Sequence, residues 1–330
     1  MPKGTIKKLA SLQEMSRPPF IPLLYTYSAK LAQIPVRRLL TDAASLTKAL
    51  SMAYKLLQYD AVVIPFDPTL EAEALGCRID LKPDTPPSVR THTFPDSPPQ
   101  DDSFESLLQK GRFPVVTETI KRFQSQLGRE VDILAGVTGP LTLAFQLRGE
   151  NFQEDCESNY ERALETLEYT NRVSTVLSRF YGEMGLDGIL LIESSFSRGG
   201  AALLAEMKSI CRSISNTCDF FELPVIIYID GIPEGGEQAL FDLEWSGLIL
   251  QNPKLLKHYR KRASKLGRCV GLQLPLAELH SSSKARTASS VKHYMKEGGS
   301  KGFFLSTDGE ISFATPVETL HEIMKTLKNS

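Results

Sequence analysis

Short apolar runs rich in β-branched and aromatic residues recur along the chain, each bounded by turn residues or by segments with helical spacing. Eight of them lie at residues 20–25, 61–65, 131–137, 189–193, 225–230, 247–250, 269–274 and 302–306. Continuous apolar runs of this length are typical of strands that are buried on both faces. The pattern therefore predicts eight strands within an α/β protein.

Segments in which apolar residues recur every three or four positions lie between these runs and predict helices. They cover residues 45–58, 154–184, 200–217, 252–266, 283–297 and 316–328, and the second is long enough for two helices. Strands that alternate with helices pair in parallel through right-handed crossovers, and eight such units close into a (β/α)8 TIM barrel. A doubly wound open sheet is the alternative, but no G-x-G-x-x-G follows the first strand. We predict one barrel domain over residues 1–330.

A proline-rich excursion at about residues 84–102 interrupts the alternation after the second strand. Its prolines exclude regular helix and central strand there. Two interpretations stay open, a lid over the barrel mouth and a passive surface insertion.

Composition narrows the class of protein further. The chain carries a formal net charge of −1, with 42% hydrophobic and 23% charged residues, as in soluble globular proteins. No basic excess favours nucleic acid, no run of about 20 apolar residues predicts a membrane span, and the first residues lack the apolar core of a secretory signal. These features predict a cytoplasmic protein. Its five cysteines are widely spaced without a C-x-x-C pair, which argues against disulfides and a thiolate zinc site.

Residues just past the strand ends are the first candidates for an active site, because the carboxyl ends of barrel strands open into one mouth. They are Tyr25, Asp67, Thr138, Glu193, Asp230, Gln251 with Asn252, Gln273, and Thr307 with Asp308. Four of these eight strand ends hold a carboxylate. Carboxylates that converge raise one another's pKa or bind a cation or a hydroxylated substrate. The alternative is that each one caps a helix.

Two segments add further polar side chains. In DAVVIPFDPTLEAEALGC a helix begins directly after Asp67, so Glu71 and Glu73 in its first turn are interpreted as structural. In GVTGPLTLAFQLRGEN a glycine–proline turn allows backbone amides to approach a ligand, and Gln146 and Arg148 follow about two turns later.

These two segments resemble the uroporphyrinogen decarboxylase superfamily, which also contains zinc-dependent methyltransferases that move methyl groups between small substrates, corrinoid proteins and coenzyme M. Further matching pieces are RPPFIPLLYTYSAKL, ELPVIIYIDG and STDGEISFATPVETL, in family order over nearly the whole chain. The resemblance implies a (β/α)8 barrel, in agreement with the strand count.

The decarboxylases' working residues are only partly present. The resemblance implies an arginine-rich motif after the first strand, which binds the many substrate carboxylates, but residues 18–36 contain no arginine. Asp67 falls at the place of the pyrrole-binding aspartate, Gln146 near that of the catalytic tyrosine, and Asp308 near that of a late histidine. Decarboxylation would therefore need basic groups from elsewhere, such as Lys30, Arg148 and Arg198.

The zinc methyltransferases' ligands are missing as well. The resemblance implies a His-x-Cys pair after the fifth strand and a cysteine after the eighth, because thiolates bind zinc. Residues 228–230 read Tyr-Ile-Asp, and the later position is about Gly309. Glu193, Asp230 and Asp308 form an oxygen-only set, which leaves open a harder ion or the direct binding and protonation of a methoxy or amine substrate. Of the interpretations of this set, we favour a metal-free acidic pocket.

The leading hypothesis is a corrinoid-linked methyltransferase acting on a small methylated substrate, with the corrinoid on a partner protein. A porphyrinogen decarboxylase and a non-catalytic barrel that binds a tetrapyrrole or a corrinoid protein stay open as alternatives. The assigned catalytic residues are Asp67, Glu193 and Asp230. The assigned substrate contacts are Tyr25, Gln146, Arg148, Tyr228, Gln273 and Asp308. No nucleic-acid or membrane partner is expected, and a homodimer is compatible with the sequence.

Overall fold

The main sheet consists of parallel strands separated by helices. The computed structural model describes residues 3–94, 104–276 and 284–329. Within these ranges the strands are β1 Ala61–Val63, β2 Arg78–Asp80, β3 Ser88–Thr91, β4 Asp132–Thr138, β5 Gly188–Glu193, β6 Val225–Ile229, β7 Gly247–Leu250, β8 Cys269–Leu274 and β9 Phe303–Thr307. Seven of them form one parallel sheet in the order β1-β4-β5-β6-β7-β8-β9. These are seven of the eight predicted strands.

A short segment closes the sheet into a barrel between its two edge strands. On one side, Leu305 in β9 donates to the Pro19 carbonyl at 2.8 Å and accepts from the Ile21 amide at 2.9 Å. On the other side, the Phe20 carbonyl accepts from the amide of Asp60, just before β1, at 2.9 Å. The predicted TIM barrel is therefore confirmed.

The first predicted strand is shorter than the sequence suggested. Of residues 20–25, only Phe20 forms a bridge, which pairs in parallel with Leu305. The reason is that Pro19 and Pro22 have no N–H group to donate to a ladder. Beyond Ile21 the contact with β9 continues through a side chain, since the Leu23 amide donates to Thr307 Oγ1 at 3.0 Å, so closure depends on a few hydrogen bonds.

Helices surround the barrel, and several of those predicted are divided. They are α1 Thr5–Ala10, α2 Tyr27–Ala32, α3 Val36–Thr41, α4 Ala43–Leu57, α5 Leu70–Ala74, α6 Phe113–Leu127, α7 Pro140–Arg148, α8 Glu150–Ser158, α9 Tyr160–Glu183, α10 Ala201–Ile210, α11 Arg212–Phe220, α12 Glu237–Asp242, α13 Leu256–Lys265, α14 Lys284–Gly298 and α15 Val317–Lys328. The segments 154–184 and 200–217 each contain two helices. No described helix combines the length and apolar composition needed to cross a membrane.

Helix α1 covers the end of the barrel opposite the mouth. The Asp132 carboxylate, at the start of β4, accepts from the amides of Gly4 and Ile6, both at 2.7 Å. This carboxylate satisfies amides at the start of α1, as a capping residue does. Ligands therefore have access from the other end, where the strands terminate.

The proline-rich excursion begins as an exposed hairpin of β2 and β3, which pair in antiparallel. Beyond the hairpin, the amides of Thr93 and Phe94 both donate to the Leu147 carbonyl at 3.0 Å. The His92 ring nitrogen Nδ1 lies 2.8 Å from the Gln146 carbonyl oxygen. Residues 92–94 are thus attached to the end of α7. Residues 95–103, which include the rest of the excursion, lie outside the described ranges, so the choice between a lid and a passive insertion stays open.

Candidate active site

All four predicted strand-end carboxylates stand at the mouth. Glu193 ends β5, Asp230 and Asp308 directly follow β6 and β9, and Asp67 follows β1. Because the strands are parallel, their carboxyl ends share one end of the barrel. Asp230 lies within electrostatic range of Glu193. The structure therefore brings these residues to the same opening.

Tyr228 connects two sides of this mouth. Its ring contacts that of Phe66 edge-on, with centroids 5.8 Å apart and planes at 82°. Burial raises the pKa of Tyr228 to about 12, and the carboxylates of Asp230 and Asp308 add to the shift. The phenol therefore stays protonated at neutral pH and acts as a hydrogen-bond donor or acceptor there.

Asp67 is buried and fully engaged with protein groups. It accepts from the Thr69 amide at 3.0 Å and from the Thr69 hydroxyl at 2.7 Å, and it forms an ion pair with Arg112. Arg112 also pairs through Nε with Glu73 at 2.7 Å. Sequence reasoning missed Arg112, because it precedes α6 and no strand-end pattern marks it. The positive charge of Arg112 compensates the buried carboxylate of Asp67.

Glu193 caps the start of α7. Its carboxyl accepts from the Leu141 amide at 3.1 Å, the Thr142 amide at 2.9 Å and the Thr142 hydroxyl at 2.8 Å. Burial raises the pKa of Glu193 to about 7, while these hydrogen bonds lower it and nearby Asp230 raises it. A side chain on Gly139 would place Cβ 2.2 Å from Cδ of Glu193. The glycine–proline turn thus approaches the carboxyl group of Glu193. From the sequence, a ligand was expected to approach this turn instead.

The chain neighbours of Asp230 line an open cavity. Asp230 accepts from the Ser197 amide at 3.0 Å and from the Ser197 hydroxyl. The cavity, of about 450 Å³, is lined by Ile229 and Gly231 on either side of Asp230 in the chain and by Gln251 beyond β7. Of the three predicted catalytic residues, Asp230 is thus the one whose chain neighbours line this cavity.

Gln273 lies at the end of β8 as predicted, but it is buried and occupied. Its amide Nε2 donates to the Ile229 carbonyl at 3.0 Å. This bond ties β8 to the end of β6, which immediately precedes Asp230. Gln273 therefore supports the position of Asp230, and the structure shows no side-chain contact of it with the cavity.

Gln146 and Arg148 lie on α7, away from the strand ends. Arg148 is buried, pairs through Nε with Asp155 at 2.8 Å and donates to the Phe94 carbonyl at 2.9 Å. Gln146 has a buried side-chain oxygen without a hydrogen-bond partner among the described residues. Arg148 thus holds the excursion against α7 and is not free to bind a substrate carboxylate.

The other two basic candidates are also paired. Arg198 Nη2 lies 3.2 Å from a carboxylate oxygen of Glu150. Lys30 Nζ donates to the carbonyls of Phe313 at 2.6 Å and Thr315 at 3.0 Å. Both cations are therefore engaged by acceptors of the protein.

Glu310 is a mouth residue that sequence reasoning missed. It follows β9 by three positions, and its Oε1 accepts from the amides of Thr26 and Tyr27, the latter at 3.3 Å. Its Oε2 is buried and has no partner in the described part of the chain. Burial raises the pKa of Glu310 to about 8 against the opposing contacts with Thr26, and nearby Asp67 also raises it. The sequence segment that could have indicated Glu310 is STDGEISF, in which only Asp308 was assigned to the site.

Tyr25 completes this side of the mouth. It is buried, and burial raises its pKa well above the usual value. Asp67 and Glu310 raise this pKa as well, while Arg112 lowers it, so all three groups lie within electrostatic range of the phenol. Tyr25, Asp67, Arg112 and Glu310 form one cluster.

The residues present do not fit a thiolate zinc site. The positions that the sequence aligned with zinc ligands hold Tyr228, Asp230 and Gly309. Within the described ranges, no three histidine, cysteine, aspartate or glutamate side chains converge as metal ligands. The two carboxyl oxygens of Glu193 already accept hydrogen bonds from α7. The donor chemistry of the zinc methyltransferases is therefore not reproduced here.

Comparisons with known proteins agree with the fold. The family model described as uroporphyrinogen decarboxylase (URO-D) matches residues 1–330. The chain is 27% identical over 159 residues to the methylcobamide:CoM methyltransferase MtbA of Methanosarcina acetivorans, covering 47% of this chain and 46% of the relative. It is 33% identical over 108 residues to MtaA of Methanosarcina barkeri, covering 32% of each. These alignments span less than half the length of the relatives.

A solved structure described as a methyltransferase from Methanosarcina mazei matches the whole molecule. The TM-score is 0.86 at 19% identity, covering 100% of this chain and 99% of that one. At this identity the likeness shows the fold alone. Since the family model spans the full sequence, the chain belongs to the uroporphyrinogen decarboxylase family.

Proposed function

We propose that this chain catalyses corrinoid-linked methyl transfer from a small methylated substrate. The names of its relatives specify methyl transfer between a methylcobamide and coenzyme M, which supports this class of reaction. The alignments cover less than half of those relatives, so the choice of substrate rests on the residues of this chain. A cytoplasmic location and a homodimer stay predictions from the sequence.

The observation that carries the proposal is that the three basic side chains named from the sequence for a porphyrinogen each already contact acceptors of the protein. Arg148 is buried against Asp155, Arg198 pairs with Glu150, and Lys30 donates to backbone carbonyls. The residues outside the described ranges include no lysine or arginine. Each substrate carboxylate buried without a cation would cost several kcal/mol, about 2–7 for an unpaired polar group alone. This supports a substrate without multiple carboxylates.

The mouth offers groups suited to a small, weakly charged molecule. Asp230 is half-buried between two residues that line the cavity, and the buried rings of Tyr228 and Phe66 pack edge-on nearby. Glu193 and Asp67 hold the surrounding loops through α7 and Arg112. A reduced corrinoid carried by a partner protein supplies the nucleophile that accepts the methyl group. The residues of this chain then bind and orient the methyl donor and exclude water.

A methyl-transfer assay with purified chain and cob(I)alamin tests the proposal. The donors are a panel of methyl ethers, methylated thiols and methylated amines, with uroporphyrinogen assayed in parallel. We expect transfer from at least one donor, lowered about 10- to 100-fold in Asp230→Ala, since a hydrogen bond to a charged group contributes about 1.5–3 kcal/mol. Asp219→Ala on the exposed side of α11 is the matched control and is expected to match the wild type.

Two results would overturn this assignment in different ways. Turnover of uroporphyrinogen would favour the decarboxylase alternative. Tight binding of a tetrapyrrole or a corrinoid protein without any turnover would favour the non-catalytic barrel. Elemental analysis of the same samples checks the metal-free site, since one zinc per chain that is lost in Cys77→Ser or Cys269→Ser would contradict it.

A further inference from the structure

Another cavity, of about 240 Å³, lies at the end of the barrel opposite the mouth. It is bordered by α13, by the start of β8 and by the segment that precedes β9, where the amino ends of the strands meet. The described residues that line it include three cations and no carboxylate; they are Leu12, Arg260, Ser264, Arg268, Val270, Lys301 and Gly302. Three positive charges thus meet in a chain whose formal net charge is −1.

Arg260 and Arg268 differ from the other partly or fully buried arginines in the described part of the chain. The others each have a carboxylate oxygen at 3.9 Å or less; they are Arg17, Arg112, Arg148, Arg162 and Arg262. Burial lowers the pKa of both Arg260 and Arg268, and only for Arg268 do more distant carboxylates, those of Glu244 and Asp242, oppose this shift. Because a partly buried charge without a counter-ion costs free energy, an anion from outside the chain would stabilise both side chains.

Neutral contacts hold the guanidinium of Arg260 in place without supplying a negative charge. Its Nη1 donates to the Glu297 carbonyl and its Nη2 to the Lys301 carbonyl, both at 3.2 Å. Its Cζ lies 5.8 Å from the centroid of the Phe303 ring. The side-chain carboxylate of Glu297 pairs with Lys257 instead, at 2.9 Å. The site is therefore preorganised, because a ligand does not have to immobilise this arginine.

The chemistry of the lining residues matches a phosphoryl group. A guanidinium carries five N–H donors in one plane and binds phosphate oxygens in pairs. Ser264 lies four positions after Arg260 on α13, so the two side chains share one face of the helix, and Ser264 is exposed. At about 30 Å³ per water molecule the cavity has the volume of about eight waters, which suits a phosphoryl group with a few further atoms. Three cations favour a doubly charged anion over a carboxylate with one charge.

We propose that this cavity binds a phosphoryl group, either as free phosphate or as the phosphate of a small monoester, through Arg260, Arg268, Lys301 and Ser264. The two partly buried arginines contact its oxygens from the inner side, and the exposed Lys301 contacts them from the solvent side. The bound anion links the end of α13 to the segment before β9 and so stabilises the folded chain. The site is separate from the mouth and takes no part in methyl transfer.

Isothermal titration calorimetry with inorganic phosphate at constant ionic strength tests this site. For the wild-type chain we expect saturable binding of one phosphate per chain and a Tm that rises with phosphate concentration. Arg260→Met is expected to raise Kd about 10- to 100-fold, because it removes a charged hydrogen-bond donor from the anion. Lys301→Glu is expected to abolish measurable binding, because it places a negative charge at the cavity.

Lys261→Met is the matched control. Lys261 follows Arg260 directly on α13, is exposed and does not line the cavity, so its replacement removes the same charge without removing a contact. Its Kd is expected to stay within about twofold of wild type, since salt screens an exposed charge. If Arg260→Met does not fold, Lys301→Glu still tests the site, because Lys301 is exposed.

Glycerol phosphate and acetate, titrated in parallel, identify the form of the ligand. Tighter binding of glycerol phosphate than of inorganic phosphate would support a phosphate monoester, and the reverse would support free phosphate. No saturable binding of either at about 10 mM, or equal Kd values in wild type, Arg260→Met and Lys301→Glu, would overturn the site. Acetate bound as tightly as phosphate would overturn the assignment to a phosphoryl group. No methyl donor enters these titrations, so their outcome is independent of the proposed function.

Discussion

Replacing Gly139 by alanine tests the packing on which the Glu193 carboxyl depends. Gly139 has φ of −70° and ψ of 155°, a conformation open to any residue, so the backbone does not oppose alanine. The added Cβ would lie 2.2 Å from Cδ of Glu193 and 2.4 Å from its Oε1. These distances are far below van der Waals contact. Glu193 must therefore move and lose its hydrogen bonds from Leu141 and Thr142.

The size of the effect follows from those bonds. Losing the cap of α7 costs about 0.5–2 kcal/mol. Leaving a buried carboxyl without its donors adds about 1–3 kcal/mol. We therefore expect the free energy of unfolding to fall by about 2–4 kcal/mol. With an unfolding entropy of about 2.1 cal/mol/K per residue, this corresponds to a Tm lower by about 3–6 °C.

Urea unfolding followed by circular dichroism measures the change, and Gly200→Ala is its matched control. Gly200 precedes α10 with φ of −67° and ψ of 150°, almost the same backbone, but a Cβ there would meet nothing within 4 Å. The control is expected to stay within about 0.5 kcal/mol of wild type. In a Glu193→Ala background, Gly139→Ala is expected to lower the free energy of unfolding by at least about 1 kcal/mol less than it does in the wild type. Equal effects of the two glycine substitutions, or strict additivity with Glu193→Ala, would refute this reasoning.

Two further predictions concern the buried charges. Because burial raises the pKa values of Glu71 and Glu193 to about 7 and that of Glu310 to about 8, from 4.5, the folded state binds more protons than the unfolded state over this interval. The stability that these groups contribute is complete below about pH 4.5 and is lost as pH rises through 7–8, with at most about 1.4 kcal/mol per pH unit for each group. Urea midpoints measured from pH 5 to 8.5 should fall, and less so in Glu71→Gln; identical profiles would contradict the shift. Arg112→Met is expected to lower the free energy of unfolding by about 3–5 kcal/mol, because Asp67 would be buried without its cation. Arg122→Met, which removes an exposed pair with Glu118, is the control at about 0.5 kcal/mol; a comparable loss in both would contradict the buried-pair argument.

The strand ends were predictable because they depend on local patterns. Apolar runs such as residues 247–250 and 269–274 match β7 and β8, and a parallel order fixes which end carries Glu193 and Asp230. The sequence could not predict that Phe20 forms a single bridge, because closure depends on contacts with Asp60 and Leu305 that are distant in the chain. Local periodicity therefore predicts where strands lie, but it does not predict which segments pair with one another.

The partners of the mouth residues were likewise beyond the sequence. Arg112 reaches Asp67 across 45 positions, and Glu310 reaches Thr26 across 284. Neither pair follows a helical or strand period, since both are made by loops that meet only after the barrel closes. Thus the sequence identified several carboxyl groups of the site. It did not identify their partners, such as Arg112, which compensates the charge of Asp67.

These partners change the charge of the mouth, and with it the substrate charge that we expect the mouth to accept. Counting carboxyl groups in the sequence predicts a strongly acidic pocket, which suits a methylated amine cation. In the folded chain Arg112 offsets Asp67, and burial leaves Glu310 mainly protonated and Glu193 near half-protonated at neutral pH. An interior with fewer charges attracts cations less and provides O–H donors for a neutral oxygen. We therefore expect cationic methylated amines to be poorer donors in the panel than the number of carboxyl groups alone suggests, and efficient transfer from a quaternary amine would contradict this argument.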